Sequence, residues 1–260
     1  MRDDMLAERY VPRLRFDRAE PFDLKGVGYS VKLHTEELPV GNSSRNAGSV
    51  NTGSVNAGSV NTGSVGAVGA GTGVVQSVSC GLRIYIEPGE TVIEYAFYYD
   101  FDIQHLYDLE HVFVRIDGEG RISGVLGSFH GKFLNNLLEG ETDFEGTHVI
   151  LYVQPGKHAF MPAPHYFKLF PDRDKCCREY AGQDGLLIGP MFAGRLSTDQ
   201  DFDRQAERFI RENYAFVPTW EFGEEYPRLS KAEDMLMPWE ELDGLIVRRI
   251  TEWKRRIEGV

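Results

Sequence analysis

Asp108 and Glu110 stand two residues apart in the run from Tyr95 to Asp117. His105 lies three positions ahead of Asp108, and Asp100 and Asp102 precede it. On a β-strand, residues i and i+2 point to one face, so these two carboxylates share a side. His105 falls in the loop that leads into the strand, where its imidazole can fold over that side. An imidazole beside several carboxylates is a ligand set for a divalent cation. Hard oxygen donors predominate. They favour Mg²⁺ or Ca²⁺, with Mn²⁺ a third choice, over Zn²⁺, which prefers His/Cys tetrahedra. The competing reading is that these acids form ion pairs with Arg115 or Arg121.

Two further histidines each close a strand pattern next to glycine, His130 before Gly131 and His158 after Gly156-Lys157. A side chain at such a junction can reach a shared pocket, and both are candidate general bases. His111 points away from Glu110 on the strand and is read as a core or hydrogen-bonded histidine. His34 and His148 are read as structural, and His165 is left without a role.

These residues need strands to place them. Leu14 and Phe16 alternate with arginines, and Val27 to Leu33 reads as a second extended piece. Ser79 to Ile86 alternates. Val92 to Tyr99 is rich in aromatic and β-branched residues, with Ile93, Tyr95, Phe97 and Tyr99 on one face. Val112 to Ile116, Ile122 to Phe129 and Thr147 to Val153 continue the series, and Asp117-Gly118-Glu119-Gly120 reads as a hairpin turn. The spacing predicts a mainly β protein, an antiparallel β-sandwich, over residues 1–165. Residues 166–260 are read as a mixed loop and helical extension packed on the same domain, giving an α+β whole. One helix begins near Thr198 with Asp199 as its starting acid. Another runs from Trp239 to Ile257 on the stripe Leu242, Ile246, Ile250, Trp253 and Ile257, with Pro238 in its first turn.

Residues 43–74 differ from the rest. Asn46 to Val65 is four copies of NAGSV or NTGSV. So little apolar surface cannot offset the entropy of ordering, and the segment is read as a disordered low-complexity insertion in a surface loop.

The 260 residues carry a net charge of −12 and a pI near 5.1. No basic run precedes Lys254-Arg255-Arg256, which reads as a solvated helix face, so a nucleic-acid partner is not expected. No apolar run approaches the ~20 residues of a membrane span. The N-terminal stretch MRDDMLAERYVPRL carries acids and has no apolar core, unlike a secretory signal. Three cysteines, Cys80, Cys176 and Cys177, cannot all pair within the chain. They read as reduced thiols of a cytoplasmic protein.

The segment His105-Leu106-Tyr107-Asp108-Leu109-Glu110-His111-Val112 resembles the GHRHDWEHV stretch of the necrosis- and ethylene-inducing-like proteins. It is also similar to HEGDWEHV in the related vacuolar protein sorting-associated family. Ser128-Phe129-His130-Gly131 resembles their S-x-H-G segment. His148 to Val153 followed by Gly156-Lys157-His158-Ala159 resembles HPVVYVAxGSHA. Tyr10-Val11-Pro12 with Glu20-Pro21-Phe22 is similar to the opening YxP…ExFxP of the vacuolar branch. The pieces fall in order across residues 9–165, outside the repeat. The resemblance implies a β-sandwich holding a divalent cation through a loop aspartate, His105, Asp108 and Glu110. The loop aspartate is Asp100 or Asp102. Tyr107, Leu109 and Gln104 replace a His, a Trp and a Gly of the motif. With no signal and no disulfide framework, these departures argue against a cytolytic toxin.

Three functions follow, in order. The first is a cation-binding β-sandwich module that recognises a small polar ligand, a sugar or a lipid headgroup, through the His/Asp/Glu site. The second is a metal-dependent hydrolase with His130 or His158 as general base. The third is an interaction protein with a purely structural cation. A nucleophile elbow, a HExxH helix and a phosphate-cradling loop are all absent from the sequence.

Overall fold

The computed structural model describes residues 2–34, 73–223 and 230–259. In chain order the elements are α1 (Asp3–Tyr10), β1 (Arg13–Asp17), β2 (Leu24–Leu33), β3 (Gly73–Gln76), β4 (Arg83–Ile86), β5 (Thr91–Phe101), β6 (Leu106–Ile116) and β7 (Ile122–Phe129). They continue with β8 (Lys132–Asn135), β9 (Phe144–Glu145), β10 (His148–Val153), β11 (Phe160–Met161), α2 (Arg173–Cys176), α3 (Gln200–Tyr214), β12 (Phe222–Gly223), β13 (Leu236–Pro238) and α4 (Trp239–Glu258).

The central sheet has six strands in the order β13-β2-β5-β6-β7-β8. Its middle strands are the aromatic and β-branched runs whose residues suit a pleated, buried surface. β5 alternates cleanly. Tyr95, Phe97 and Tyr99 face a smaller sheet, ordered β11-β10-β1-β12, and meet Phe160 and Phe16 there. Each such buried side chain contributes about 1.5–3 kcal/mol by its burial. On the opposite face, Gly26, Gly28, Ala96, Tyr98 and Asp100 lie under α4, since cross-strand partners point to one side. Gly28 lets the helix come close, because a Cβ there would stand 2.7 Å from Leu242 Cδ2.

The mainly β, α+β architecture expected from the sequence is the one that forms. Its pairing is less uniform than an antiparallel sandwich. β1 runs parallel to β10 and β13 parallel to β2. The residues after 165 also supply strands: β12 joins β1 and β13 joins β2. α4 buries Leu242, Ile246 and Ile250 one turn apart, and Gly259 closes it in the left-handed conformation. Pro238 stands at its N-cap and ends β13, one position before the first turn. Asp199 caps α3 by accepting from the Phe202 N–H at 2.9 Å. The faces of α3 and α4 join the same apolar core as the sheet.

The repeat lies outside the described residues. Gly73 and Val74 belong to β3, so the boundary drawn at 74 runs two residues too far. β3 and β4 form a hairpin whose Ile84 and Ile86 pack with Val92 of β5 and Phe113 of β6.

Candidate functional site

β6 carries Asp108 and Glu110 on its inner face, opposite Tyr99 and Phe97 of β5. Both acids are buried. Neither meets Arg115 or Arg121. Arg115 pairs with Glu90, and Arg121 with Asp117 and Glu119.

Asp108 is held by His158. The His158 Nδ1 lies 2.9 Å from Asp108 Oδ2, and its Nε2 lies 3.6 Å from Glu20 Oε1. The ring is fully buried and stacks on Tyr99. Burial opposes a charge on His158, but the hydrogen bond to Asp108 and the nearby Glu20 carboxylate outweigh it and lift its pKa to about 10. It is an imidazolium held between two carboxylates.

The turn that delivers this histidine is Gln154 to His158. The Gly156 N–H donates to Glu20 at 2.8 Å, its carbonyl accepts from Ile103, and its φ of 65° is open to glycine. Lys157 points inward from the same turn. Its Nζ reaches Asp102 Oδ2 at 2.6 Å. Burial works against both charges, yet the ammonium holds the Asp102 carboxyl below its usual range and Asp102 raises Lys157.

Glu110 is different. Its Oε2 meets the Ser128 hydroxyl, which also accepts the His111 N–H. No Lys or Arg among the described residues pairs with it. Burial first, then the Asp108 charge, push its carboxyl well above the ordinary value.

The two loop aspartates separate. Asp102 belongs to the cluster. Asp100 lies on the other face of β5, where Arg249 of α4 grips both its oxygens at 2.6 and 2.5 Å. His105 is half-buried at the rim, its Nε2 3.8 Å from Asp102 Oδ2. His130 is exposed at the rim and its Nε2 bonds the buried Gln154 Oε1 at 2.9 Å. Partial desolvation of the ring, then the Lys157 charge, hold it below the usual imidazole value.

The structure thus brings Asp102, His105, Asp108, Glu110, His130 and His158 to one end of the sandwich and excludes Asp100. It does not draw the expected ligand set into one tight shell. Among the described residues, the one group of His, Cys, Asp or Glu donors mutually within 4.8 Å is Cys80, Glu94 and His111. The sequence reading missed Lys157, Glu20, Gln154 and Ser128 as members. All four sit inside or beside the quoted motifs, but nothing in their spacing says that they turn inward. Tyr107, His130 and His158 have φ of 57°, 48° and 54°. Side chains rarely adopt that conformation, and here three such residues flank one cluster.

No protein-family model matches the chain, and no curated protein matches it. Among solved structures, it is similar to Necrosis and Ethylene inducing Protein 2 from the causal agent of cocoa's Witches Broom disease. The identity is 19% and the TM-score 0.32, over 73% of this chain and 87% of that one. A likeness of that strength carries no argument about function, which must come from the residues of the cluster.

Proposed function

We propose that the protein is a divalent-cation-binding module. It would recognise a polar ligand, a sugar or lipid headgroup, through the cation held at Asp102, Asp108 and Glu110. One observation carries the reading: Glu110 is a buried carboxyl beside two buried aspartates, with no cationic side chain of its own among the described residues. Such a group calls for a proton or a metal ion. The donors are all hard oxygens, which fit Mg²⁺ or Ca²⁺. Lys157 and His158 neutralise Asp102 and Asp108 in the cation-free arrangement, and a ligand would approach from the rim where His130 is exposed. The backbone strain at Tyr107, His130 and His158 adds weight, since such strain persists where surrounding structure enforces it.

The test is calorimetric titration with Ca²⁺ and Mg²⁺ of the wild type and of the Asp108→Asn/Glu110→Gln double variant. One cation per chain, lost in a double variant with native circular dichroism, supports the reading. No heat of binding in the wild type with either ion overturns it. Sedimentation with anionic vesicles, and a glycan array, each with and without the bound ion, then separate the two ligand classes. A large rise in melting temperature with ion and no ligand of either class would leave the cation a structural one.

The hydrolase reading retains one specific support. His130 sits at the rim with its pKa held below the usual imidazole value, so it keeps a lone pair at neutral pH. His158, charged and enclosed by two carboxylates, suits a positioning role. Turnover of a generic phosphoester that His130→Ala abolishes would favour the enzyme.

A further inference from the structure

The outer face of β6 carries a second cluster with different chemistry. His111 points away from Glu110, and Glu94 of β5 lies beside it on the same face of the sheet. The bend between β3 and β4 brings Cys80 over both. The Cys80 Sγ, a Glu94 oxygen and a His111 ring nitrogen all lie within 4.8 Å of one another.

Two features distinguish this group from a chance meeting. His111 is 6% exposed, and its Nε2 is buried with no hydrogen-bond partner among the described residues. An unsatisfied buried ring nitrogen is costly in an otherwise well-bonded interior. Glu94, in turn, is aimed by its surroundings. Ser77 Oγ donates to it at 2.7 Å, the Val78 N–H at 2.9 Å, and the Ser79 hydroxyl also reaches it. Supporting bonds of this kind orient a metal-binding carboxylate.

We propose that Cys80, Glu94 and His111 form a Zn²⁺ site that staples the β3–β4 hairpin to the outer face of β5 and β6. A thiolate sulfur, an imidazole nitrogen and a carboxylate oxygen are each donors that the borderline-soft zinc ion takes, with water as the fourth ligand. Binding replaces the Cys80 thiol proton, which passes to solvent. This ion is separate in face and in chemistry from the one proposed at Asp108 and Glu110. Cys80 is exposed and in no disulfide, and its thiol, which donates to Ser77 Oγ at 3.1 Å, gives up that bond when the ion is loaded from solution.

Cobalt substitution on chelator-treated full-length protein tests it. Co²⁺ should give tetrahedral visible bands and a near-ultraviolet thiolate charge-transfer band, and one equivalent of Zn²⁺ should erase both. Cys80→Ser, at an exposed position, should remove the charge-transfer band and weaken Zn²⁺ by more than about 100-fold. That exceeds what loss of a supporting partner costs. Ser79→Ala should weaken it roughly 10-fold by releasing Glu94. Asp108→Asn/Glu110→Gln should leave the band intact, which separates this site from the inner one. No Zn²⁺ uptake, or a Cys80→Ser protein with unchanged affinity and spectrum, overturns the proposal.

Discussion

His158 lies flat on Tyr99, with ring centroids 3.8 Å apart and an interplanar angle of 6°. An imidazolium in that position gains from the tyrosine face as well as from Asp108 and Glu20. His158→Asn keeps a residue that tolerates the left-handed backbone but removes the charge. It leaves Asp108 and Glu20 without their cation, and we expect a loss of about 3–5 kcal/mol in urea unfolding. The pH dependence has a definite sign. The folded-state pKa is raised from 6.5 to about 10, so the stabilisation is complete below pH 6.5 and is lost as pH rises towards 10. The gap between wild type and variant should narrow across that window. A gap that widens with pH would show that His158 is not the charged partner.

Asp100 and Asp102 are two residues apart in sequence and do different work. Asp100 ties α4 to β5 through the two-pronged Arg249 contact, whereas Asp102 faces Lys157 and the cluster. Asp100→Asn should leave cation affinity unchanged and cost roughly 1.5–3 kcal/mol of stability through the weakened charged hydrogen bonds. Asp102→Asn should weaken the cation by more than about 100-fold, beyond what loss of a supporting partner costs. Calorimetry and denaturant titration on the same two samples check both halves. An Asp100→Asn protein that loses the cation would move the site to the helix side of the sheet.

That separation marks how much the sequence could show. The period of two in β5, β6 and β7, and the apolar stripe of α4, were legible because each is a long regular pattern facing one core. The motif Asp108-x-Glu110 was legible because strand geometry alone puts both on one side. The loop aspartates were not, because β5 ends at Phe101 and a turn closed between Asp102 and His105 follows, so strand alternation no longer says which face Asp102 takes. The β1–β10 pairing joins residues more than a hundred positions apart, and no local pattern reports that. Cys80, Glu94 and His111 meet through strand register and a hairpin bend, so their spacing carries no metal signature.

Gly156 is the position on which the inward turn depends. A Cβ there would stand 2.9 Å from Ile103 Cβ, and the backbone has φ of 65°. Gly156→Ala must therefore shift either Ile103 or the turn. We expect a loss of about 1–3 kcal/mol from the overpacking. Because Lys157 and His158 move with the turn, cation affinity should fall as well. A melting curve and a Ca²⁺ titration on one preparation test the pair of effects. Lowered stability with full affinity would mean that the turn supports the fold without setting the cluster.

Cation uptake at the inner cluster should depend on pH through Glu110. Burial and the Asp108 charge raise its carboxyl well above the ordinary value, so the cation-free protein keeps the Glu110 proton to higher pH than an ordinary carboxyl would, and a bound ion must displace it. The proton competes with the metal, and the sign follows: affinity should rise as pH rises and weaken in acid. Glu110→Gln removes the exchangeable proton together with the charge, and should abolish the pH dependence while lowering the affinity at every pH. The direct measurement is the heat of Ca²⁺ binding in two buffers of different ionisation enthalpy. A difference between them counts the protons released, and it should vanish in Glu110→Gln. Identical heats in the wild type would mean that no proton leaves when the cation binds, and Glu110 would then not be its ligand.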